Sequence, residues 1–313
     1  MKIIYFGTPL FAGRVLEYLV MKKIDVAAIV TRPDKPKGRS LKMQPSAVKE
    51  LAQTHFPQIP VFSPGKASAP EFAQILKSFD PDLFVVVAFG EILKMNLLSV
   101  PKKGSINVHA SLLPKYRGAA PMQRSLMDGV AETGITIIDV AQQMDAGDIY
   151  KMAKISVPEE MTFGDLQEKL CALACPTLLE VIEEIEAGKA KRIPQNHEGA
   201  TLAPKITPNE EKINWDQPAF KIHNLVRALS PFPGAWCLVK IGEEQKRLKI
   251  KRTDVIQNLS GNPGETLSFT ENGWIVAAQE NALNLLEVQL EGKKSMPIKD
   301  FYLGIKKPPI FII

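Results

Sequence analysis

The segment Ser105-Ile106-Asn107-Val108-His109 places a carboxamide and an imidazole two residues apart. In a strand, alternation sends Asn107 and His109 to one face and Ile106 and Val108 to the other. A carboxamide offers two N–H donors, and an imidazole titrates near neutrality. Together they can stabilise a developing oxyanion and move a proton. By itself the pair is also what a hydrogen-bonded strand end contains. Downstream, Met144-Asp145-Ala146-Gly147-Asp148 carries two carboxylates among small residues that let a loop pass close to a bound molecule. Asp145 or Asp148 can orient or protonate His109, and an ordinary acidic turn has the same composition. Between these segments lie Ala110-Ser111-Leu112-Leu113-Pro114 and Tyr116-Arg117-Gly118-Ala119-Ala120-Pro121. They form a loop rich in glycine and proline at the carboxyl end of a strand, where open α/β sheets hold their ligands.

The elements that must position these groups follow from hydrophobic period. Residues 2–6 read as a short buried strand, Gly7-Thr8-Pro9 as a turn, and 11–21 as a helix with Phe11, Val15, Leu16 and Leu19 at helical spacing. Apolar runs at 26–30, 83–88, 106–108 and 135–140, with a helical stretch at 72–76, continue the alternation. Such an order predicts a Rossmann-like α/β domain with a mainly parallel sheet, closed by a helix over 163–187. The opening turn keeps Gly7 and Gly13 but lacks the central glycine that lets a backbone approach a pyrophosphate, so NAD or NADP is not expected.

Residues 189–208 carry three prolines and four basic residues without sustained period, as a connection between domains would. The expected division is therefore 1–189, a linker at 190–207, and a second domain at 208–313. Beyond a helix at 219–229, short strands broken by Pro233-Gly234, Gly242, Gly261-Asn262-Pro263-Gly264, Asn272-Gly273 and Gly292 predict a small OB-like β-barrel.

Composition sets the outer bounds. A chain of 313 residues, 45% hydrophobic and 23% charged, exceeds one typical domain. No segment reads as a secretory leader or reaches membrane length. Three cysteines, Cys171, Cys175 and Cys237, form no metal or disulfide pattern, so a cytoplasmic address is expected. A net charge of +5 permits a polyanionic partner without requiring one.

Taken together, Asn107-x-His109, Ser111-Leu112-Leu113-Pro114 and Asp145-x-Gly147 resemble the formyltetrahydrofolate-dependent formyltransferase family. Val87-Ala88-Phe89-Gly90-Glu91-Ile92-Leu93 is similar to the family segment that lines the folate pterin pocket with backbone groups, with Phe89 where tyrosine is more usual. The resemblance implies that Asn107, His109 and Asp145 are catalytic. It implies that Phe89, Gly90, Ile92, Leu93, Ser111 to Pro114 and Asp148 surround 10-formyltetrahydrofolate, with no metal and no covalent enzyme intermediate. Asn107, and His109 if protonated, would donate to the formyl oxygen as it gains charge. Asp145 would hold the imidazole in its required tautomer and charge state and help move a proton to the departing nitrogen.

Which amine is formylated depends on the surroundings. The segment Thr31 to Pro45 holds five basic residues, Arg32, Lys35, Lys37, Arg39 and Lys42, against one acid. It is expected to be exposed, mobile and attracted to phosphate, although a solvated charged loop has the same look. It resembles the insertion with which the tRNA-directed members of the family meet the acceptor end, and the match singles out Arg39. In Lys246-Arg247-Leu248-Lys249-Ile250-Lys251-Arg252, alternation is expected to line up Arg247, Lys249 and Lys251 as an RNA track over a core-facing Leu248 and Ile250, or as a charged edge. Lys205 joins the expected RNA-binding set through the resemblance of Ala203-Pro204-Lys205-Ile206. Trp215, Phe232 and Trp236 are expected to pack rather than stack on bases. The implied partners are initiator methionyl-tRNA and folate, with the protein acting as a monomer and with no membrane. The competing readings are a formyltransferase for a nucleotide-linked amino sugar, which would not need the basic segment, and a non-enzymatic RNA-binding protein, against which Asn107, His109 and Asp145 argue.

Overall fold

The computed structural model describes residues 1–37, 41–305 and 307–312. Its first elements are β1 (Ile3–Gly7), α1 (Leu10–Met21), β2 (Val26–Val30), β3 (Lys35–Lys37), β4 (Lys42–Gln44), α2 (Ala47–His55), β5 (Val61–Phe62), α3 (Pro70–Lys77), β6 (Leu83–Val87), α4 (Met95–Leu98) and β7 (Ser105–His109). There follow α5 (Pro121–Met127), β8 (Glu132–Asp139), β9 (Ile149–Ser156) and the long α6 (Phe163–Glu186). The chain divides into two compact units. One comprises Met1–Gly118, Thr133–Ile155 and Gln167–Leu202; the other comprises Ala119–Glu132, Ser156–Leu166 and Ala203–Ile313.

The first unit is built on a sheet of order β5-β2-β1-β6-β7-β8-β9. β1 pairs in parallel with both β2 and β6, and β6 pairs in parallel with β7. β1 and β6 are buried at every position because helices cover both faces, which is why they read as unbroken apolar runs. The Rossmann-like expectation is met here, with α6 ending one residue before the expected closing helix. The parallel order runs outward both ways from β1 and β6, so their carboxyl ends open at a topological switch point. Gly7 ends β1 where any Cβ would fall 2.7 Å from that of Ala12 and 2.9 Å from the Tyr5 ring. Tyr5 fills this turn, and its hydroxyl donates to the Ala12 carbonyl at 2.6 Å.

Part of the basic segment forms regular structure. β3 and β4 pair antiparallel, Lys35 opposite Gln44 and Lys37 opposite Lys42, as a two-stranded ribbon. Arg39 lies outside the described residues. Arg32, at the root of this segment, pairs with Glu91 instead of standing free.

The second unit adds α7 (Ala219–Ala228), β10 (Ala235–Ile241), β11 (Glu244–Ile256), β12 (Thr266–Thr270), β13 (Gly273–Ala277), β14 (Ala282–Leu290), β15 (Met296–Pro297), α8 (Ile298–Gly304) and β16 (Ile310–Ile312). Its sheet is antiparallel, of order β12-β13-β14-β11-β10-β16, and curls into a half-barrel. β11 makes this possible. It pairs with β10 over residues 244–250 and with β14 over 248–256, and register breaks at Ile250/Arg252 and Arg252/Thr253 turn it. Inside the curl, Trp274 stacks on Phe301 (5.7 Å between centroids, 13° between planes) and lies 4.9 Å from Phe311. Trp215 meets Phe311 edge-on, also at 4.9 Å.

Because Trp274 is fully buried, its replacement leaves a cavity as well as losing transfer energy. Trp274→Ala is expected to destabilise this unit by about 4 kcal/mol. All three tryptophans, Trp215, Trp236 and Trp274, lie in the second unit, so urea unfolding followed by the fluorescence of the remaining two measures it. An unshifted midpoint would show that the aromatic stack does not hold the curl.

Candidate active site

Asn107 and His109 sit on β7 between β6 and β8, with Val86 beside Asn107 and Thr136 opposite His109. Asp145 comes from the loop between β8 and β9. The structure brings all three together as expected: Asn107 Nδ2 lies 3.5 Å from Asp145 Oδ1, and His109 Nδ1 lies 3.6 Å from Asp145 Oδ2. Asp145 is further fixed by the Gly118 N–H, which donates to Oδ2 at 2.8 Å. Its backbone is left-handed, φ 51°, which costs a non-glycine residue about 1 kcal/mol and needs the surroundings to hold it.

The histidine tautomer follows from its partners. His109 Nε2 lies 2.8 Å from the Tyr116 carbonyl, which can only accept, so Nε2 carries hydrogen. In the neutral ring, Nδ1 is then a bare lone pair facing the Asp145 carboxylate. The expectation gave Asp145 the work of choosing the tautomer; Tyr116 does it here. Burial pushes the His109 value below the ordinary 6.5, against the upward pull of Asp145 and of the bond to Tyr116, while Arg117 adds to the lowering. At neutral pH the imidazole is therefore uncharged, and a charged His109 is not the resting oxyanion donor. A space for one proton lies between His109 Nδ1 and Asp145 Oδ2.

The loop that carries Asp145 is tied at its ends. Asp139 N–H donates to the Asp148 carbonyl at 2.9 Å, and a Cβ on Gly147 would fall 1.9 Å from the Asp139 carbonyl oxygen. The Tyr150 hydroxyl donates to Asp139 Oδ1 at 2.9 Å, and burial with this bond pushes its value up to about 12. Asp148 is half-buried and joins this closure through its backbone; it does not stand in for Asp145. One residue in the proline-containing connection, Gln195, reaches the same loop. It donates from Nε2 to the carbonyls of Asp145 at 2.9 Å and Gly147 at 2.7 Å. Nothing in the composition around Gln195 marks it, because the bond spans fifty positions of sequence.

The segments expected to surround folate are arranged around the same strand ends. Ala88 and Gly90 have φ values of 46° and 83°, which turn the Phe89 ring inward against Phe6 and leave Ala88, Gly90 and Ile92 exposed. Phe89 thus contributes backbone, not ring: its carbonyl accepts from Thr8 Oγ1 at 2.7 Å. Leu93 is buried in the core beneath. Ser111 is fully buried and donates to the Lys115 carbonyl at 2.7 Å, so its hydroxyl shapes the loop. Leu112 is half-buried, and Leu113 packs with Ile138 and Ile149 ahead of Pro114, whose peptide bond is cis. An exposed backbone turn flanked by the apolar Ile92 suits a flat heterocycle with an amide-like edge.

The cations of the expected RNA surface divide into exposed and engaged groups. Lys35, Lys42 and Lys205 are exposed. Leu248 and Ile250 face the half-barrel core as expected, but the three cations between and beside them do not form one open row. Arg247 is exposed and lies over the Trp236 ring at 4.1 Å. Lys249 Nζ donates to the Pro233 carbonyl at 2.7 Å and Lys251 Nζ to that of Pro231 at 2.6 Å. Lys251 is buried, which pushes its value down. Both lysines reach the same loop at 231–234, and that loop covers them. Trp215 packs as expected, whereas Phe232 is 76% exposed on the loop that these two lysines tie.

Two family models match the chain: Formyl transferase over residues 1–182, and Formyl transferase, C-terminal domain, over 205–306. The methionyl-tRNA formyltransferase of Protochlamydia amoebophila is 47% identical over 307 residues, covering 98% of this chain and 96% of that protein. That of Chlamydia trachomatis is 43% identical over 307 residues, covering 97% and 96%. Among solved structures, an N-formyltransferase of Helicobacter canadensis in complex with folinic acid and dTDP-3-aminofucose is alike in fold, with TM-score 0.67, 21% identity, and coverage of 91% of this chain and 98% of that one.

The geometry fixes the sign of one titration. Asp145 raises the proton affinity of His109, so Asp145→Asn is expected to lower the His109 value further below 6.5. NMR titration of the labelled imidazole measures it, and an unchanged or raised value would show that the carboxylate does not face the ring. The native value is depressed, so the stability His109 contributes is full above the unfolded value and is lost as pH falls through the native one.

Proposed function

The chain belongs to the formyl transferase family, carrying its two domain types in order, and from this premise we propose that it moves the formyl group of 10-formyltetrahydrofolate to the amino group of methionyl-tRNA. The observation that carries the reading is the convergence of Asn107, His109 and Asp145 at the carboxyl end of β7. The finer reading is that the tRNA is the initiator and that the protein acts as a monomer in the cytoplasm. The proposed functional division is residues 1–189 for catalysis, 190–207 as linker and 208–313 for tRNA binding, while residues 119–132, 156–166 and 203–207 belong to the second compact unit.

The reaction joins the amine nitrogen to the formyl carbon and breaks the bond from that carbon to N10 of the folate. Asn107 donates to the formyl oxygen as it becomes an oxyanion. Its contact with Asp145 is long, at 3.5 Å, so the amide is oriented without being consumed. The attacking nitrogen must lose a proton and N10 must gain one. The site between His109 Nδ1 and Asp145 Oδ2 accepts the first and returns it as the second, so atoms and charge balance with no outside reagent. A neutral buried imidazole fits this duty because it can accept at physiological pH.

Substrate choice rests on the basic ribbon at 31–45, which a small nucleotide sugar does not need. Lys35, Lys37, Arg39 and Lys42 are proposed to meet phosphates of the acceptor end, with Lys205 and Arg247 in the same role on the second unit. Arg32, Lys249 and Lys251 complete the proposed set. The bonds of Lys249 and Lys251 to the loop of Phe232 give them a bracing role in that surface.

Incubation with 10-formyltetrahydrofolate and methionyl-tRNA is expected to give formylmethionyl-tRNA, with dTDP-3-aminofucose left unformylated. Asn107→Ala is expected to lower kcat by about 100-fold to 1,000-fold, the usual effect of removing one oxyanion donor, with tRNA affinity unchanged. Sugar formylation without tRNA formylation ends the proposal, and a normal kcat removes Asn107 from the mechanism.

A further inference from the structure

The Asp145 carboxylate works only if its backbone is held in the left-handed turn that aims it at His109. The groups doing this lie partly in the stretch read from sequence as a mere connection. Gln195 is 5% exposed. Its two donors go to the Asp145 and Gly147 carbonyls, at 2.9 and 2.7 Å, on either side of the residue that follows Asp145. Its oxygen accepts twice from Arg117, from Nε at 3.2 Å and from Nη2 at 2.6 Å. The amide orientation admits no alternative: a guanidinium only donates and a carbonyl only accepts, so Oε1 must face Arg117 and Nε2 must face the loop.

Arg117 is equally buried, and Nη2 also donates to His197 Nδ1 at 2.9 Å. Its backbone N–H donates to the Thr201 carbonyl at 2.8 Å, and the preceding Tyr116 N–H donates to Thr201 Oγ1 at 2.9 Å. Tyr116 is the residue whose carbonyl sets the His109 tautomer, and Gly118, which follows Arg117, donates to Asp145 Oδ2. Residues 195–201 therefore hold both partners of the proton site, the imidazole through 116 and the carboxylate through 145 and 147. A buried guanidinium, fixed in a planar fork, joins the two.

We propose that Gln195 and Arg117 are positioning residues for formyl transfer: together they set the distance between His109 Nδ1 and Asp145 Oδ2 without touching substrate. The inference rests on the function given above and adds to it a pair of residues outside the Asn, His, Asp set. It also accounts for a buried guanidinium beside an active imidazole, an arrangement that would otherwise only disfavour a proton there.

Gln195→Met keeps volume and removes both donors and the acceptor without adding charge. Gln195→Glu keeps the acceptor for Arg117 and removes the donors. Both are expected to lower kcat by about 100-fold, as a displacement near 1 Å does, with KM for methionyl-tRNA and 10-formyltetrahydrofolate changed by less than about threefold. In Gln195→Met the His109 imidazole, followed by NMR, is expected to titrate lower than in the unaltered protein, because the carboxylate that raises it has moved. A loss confined to KM, or kcat within threefold of the unaltered protein in either variant, overturns the proposal. If Gln195→Met fails to fold, as circular dichroism would show, Gln195→Glu decides by the same kcat and KM criterion. Should the unaltered protein not formylate methionyl-tRNA, the functional reading falls by itself. The His109 titration then decides the positioning claim: a lowered value supports it and an unchanged one overturns it.

Discussion

A carboxylate 3.6 Å from the bare nitrogen of a buried, neutral imidazole defines a place where one proton is welcome and two are not. That single distance organises much of the first unit. Closer, the pair would take up a proton permanently as a hydrogen-bonded ion pair; much farther, neither group would help the other. Burial keeps the ring neutral at rest, and the carboxylate keeps it basic enough to act. Desolvation wins at His109, so the pair rests without a proton between its two groups and is open to receive one.

Holding that distance is a backbone problem. His109 ends a strand fixed by ladders on both sides, so its Cα is set by the sheet. Asp145 has no ladder. It sits in a loop with positive φ, restrained by hydrogen bonds at its carboxylate, its carbonyl and the nearby Gly147 carbonyl. Gly147 is required for contact reasons: its α-carbon passes so near the Asp139 carbonyl that no side chain fits. The sheet thus provides one half of the site rigidly, and the other half is assembled from loops whose order depends on polar bonds. A loop that bears chemistry but lacks apolar burial is where such bonds matter most.

This division explains what was legible in the sequence. β1, β2, β6 and β7 were legible because parallel strands buried on both faces must be apolar throughout, and Asn107 and His109 stood out as the polar exceptions on one face. The short β5 carries too few residues to show a period, and β9 alternates only after its first two buried positions. The ribbon of β3 and β4 was read as a loop because its prolines and lysines have little strand propensity; pairing between the two strands, not intrinsic preference, makes it regular. Gln195 left no trace at all. Its partners are backbone carbonyls, which every residue possesses, so no side-chain pattern can announce them.

The cationic strand is instructive for a different reason. Alternation correctly put Leu248 and Ile250 inside, but it could not show that Lys249 and Lys251 both end at the loop of residues 231–234. Lys251 is a buried ammonium bonded to the Pro231 carbonyl. Lys249 reaches Pro233, two residues on, and a Cβ on the next residue, Gly234, would meet Lys251 Nζ at 2.5 Å. These two ammonium groups brace a proline-flanked loop on which Phe232 is exposed. The carbonyl partner offsets part of the cost of burying the Lys251 ammonium. Arg247 on this strand and Lys205 ahead of it remain exposed, so the count of basic residues in a segment overstates the charge it presents.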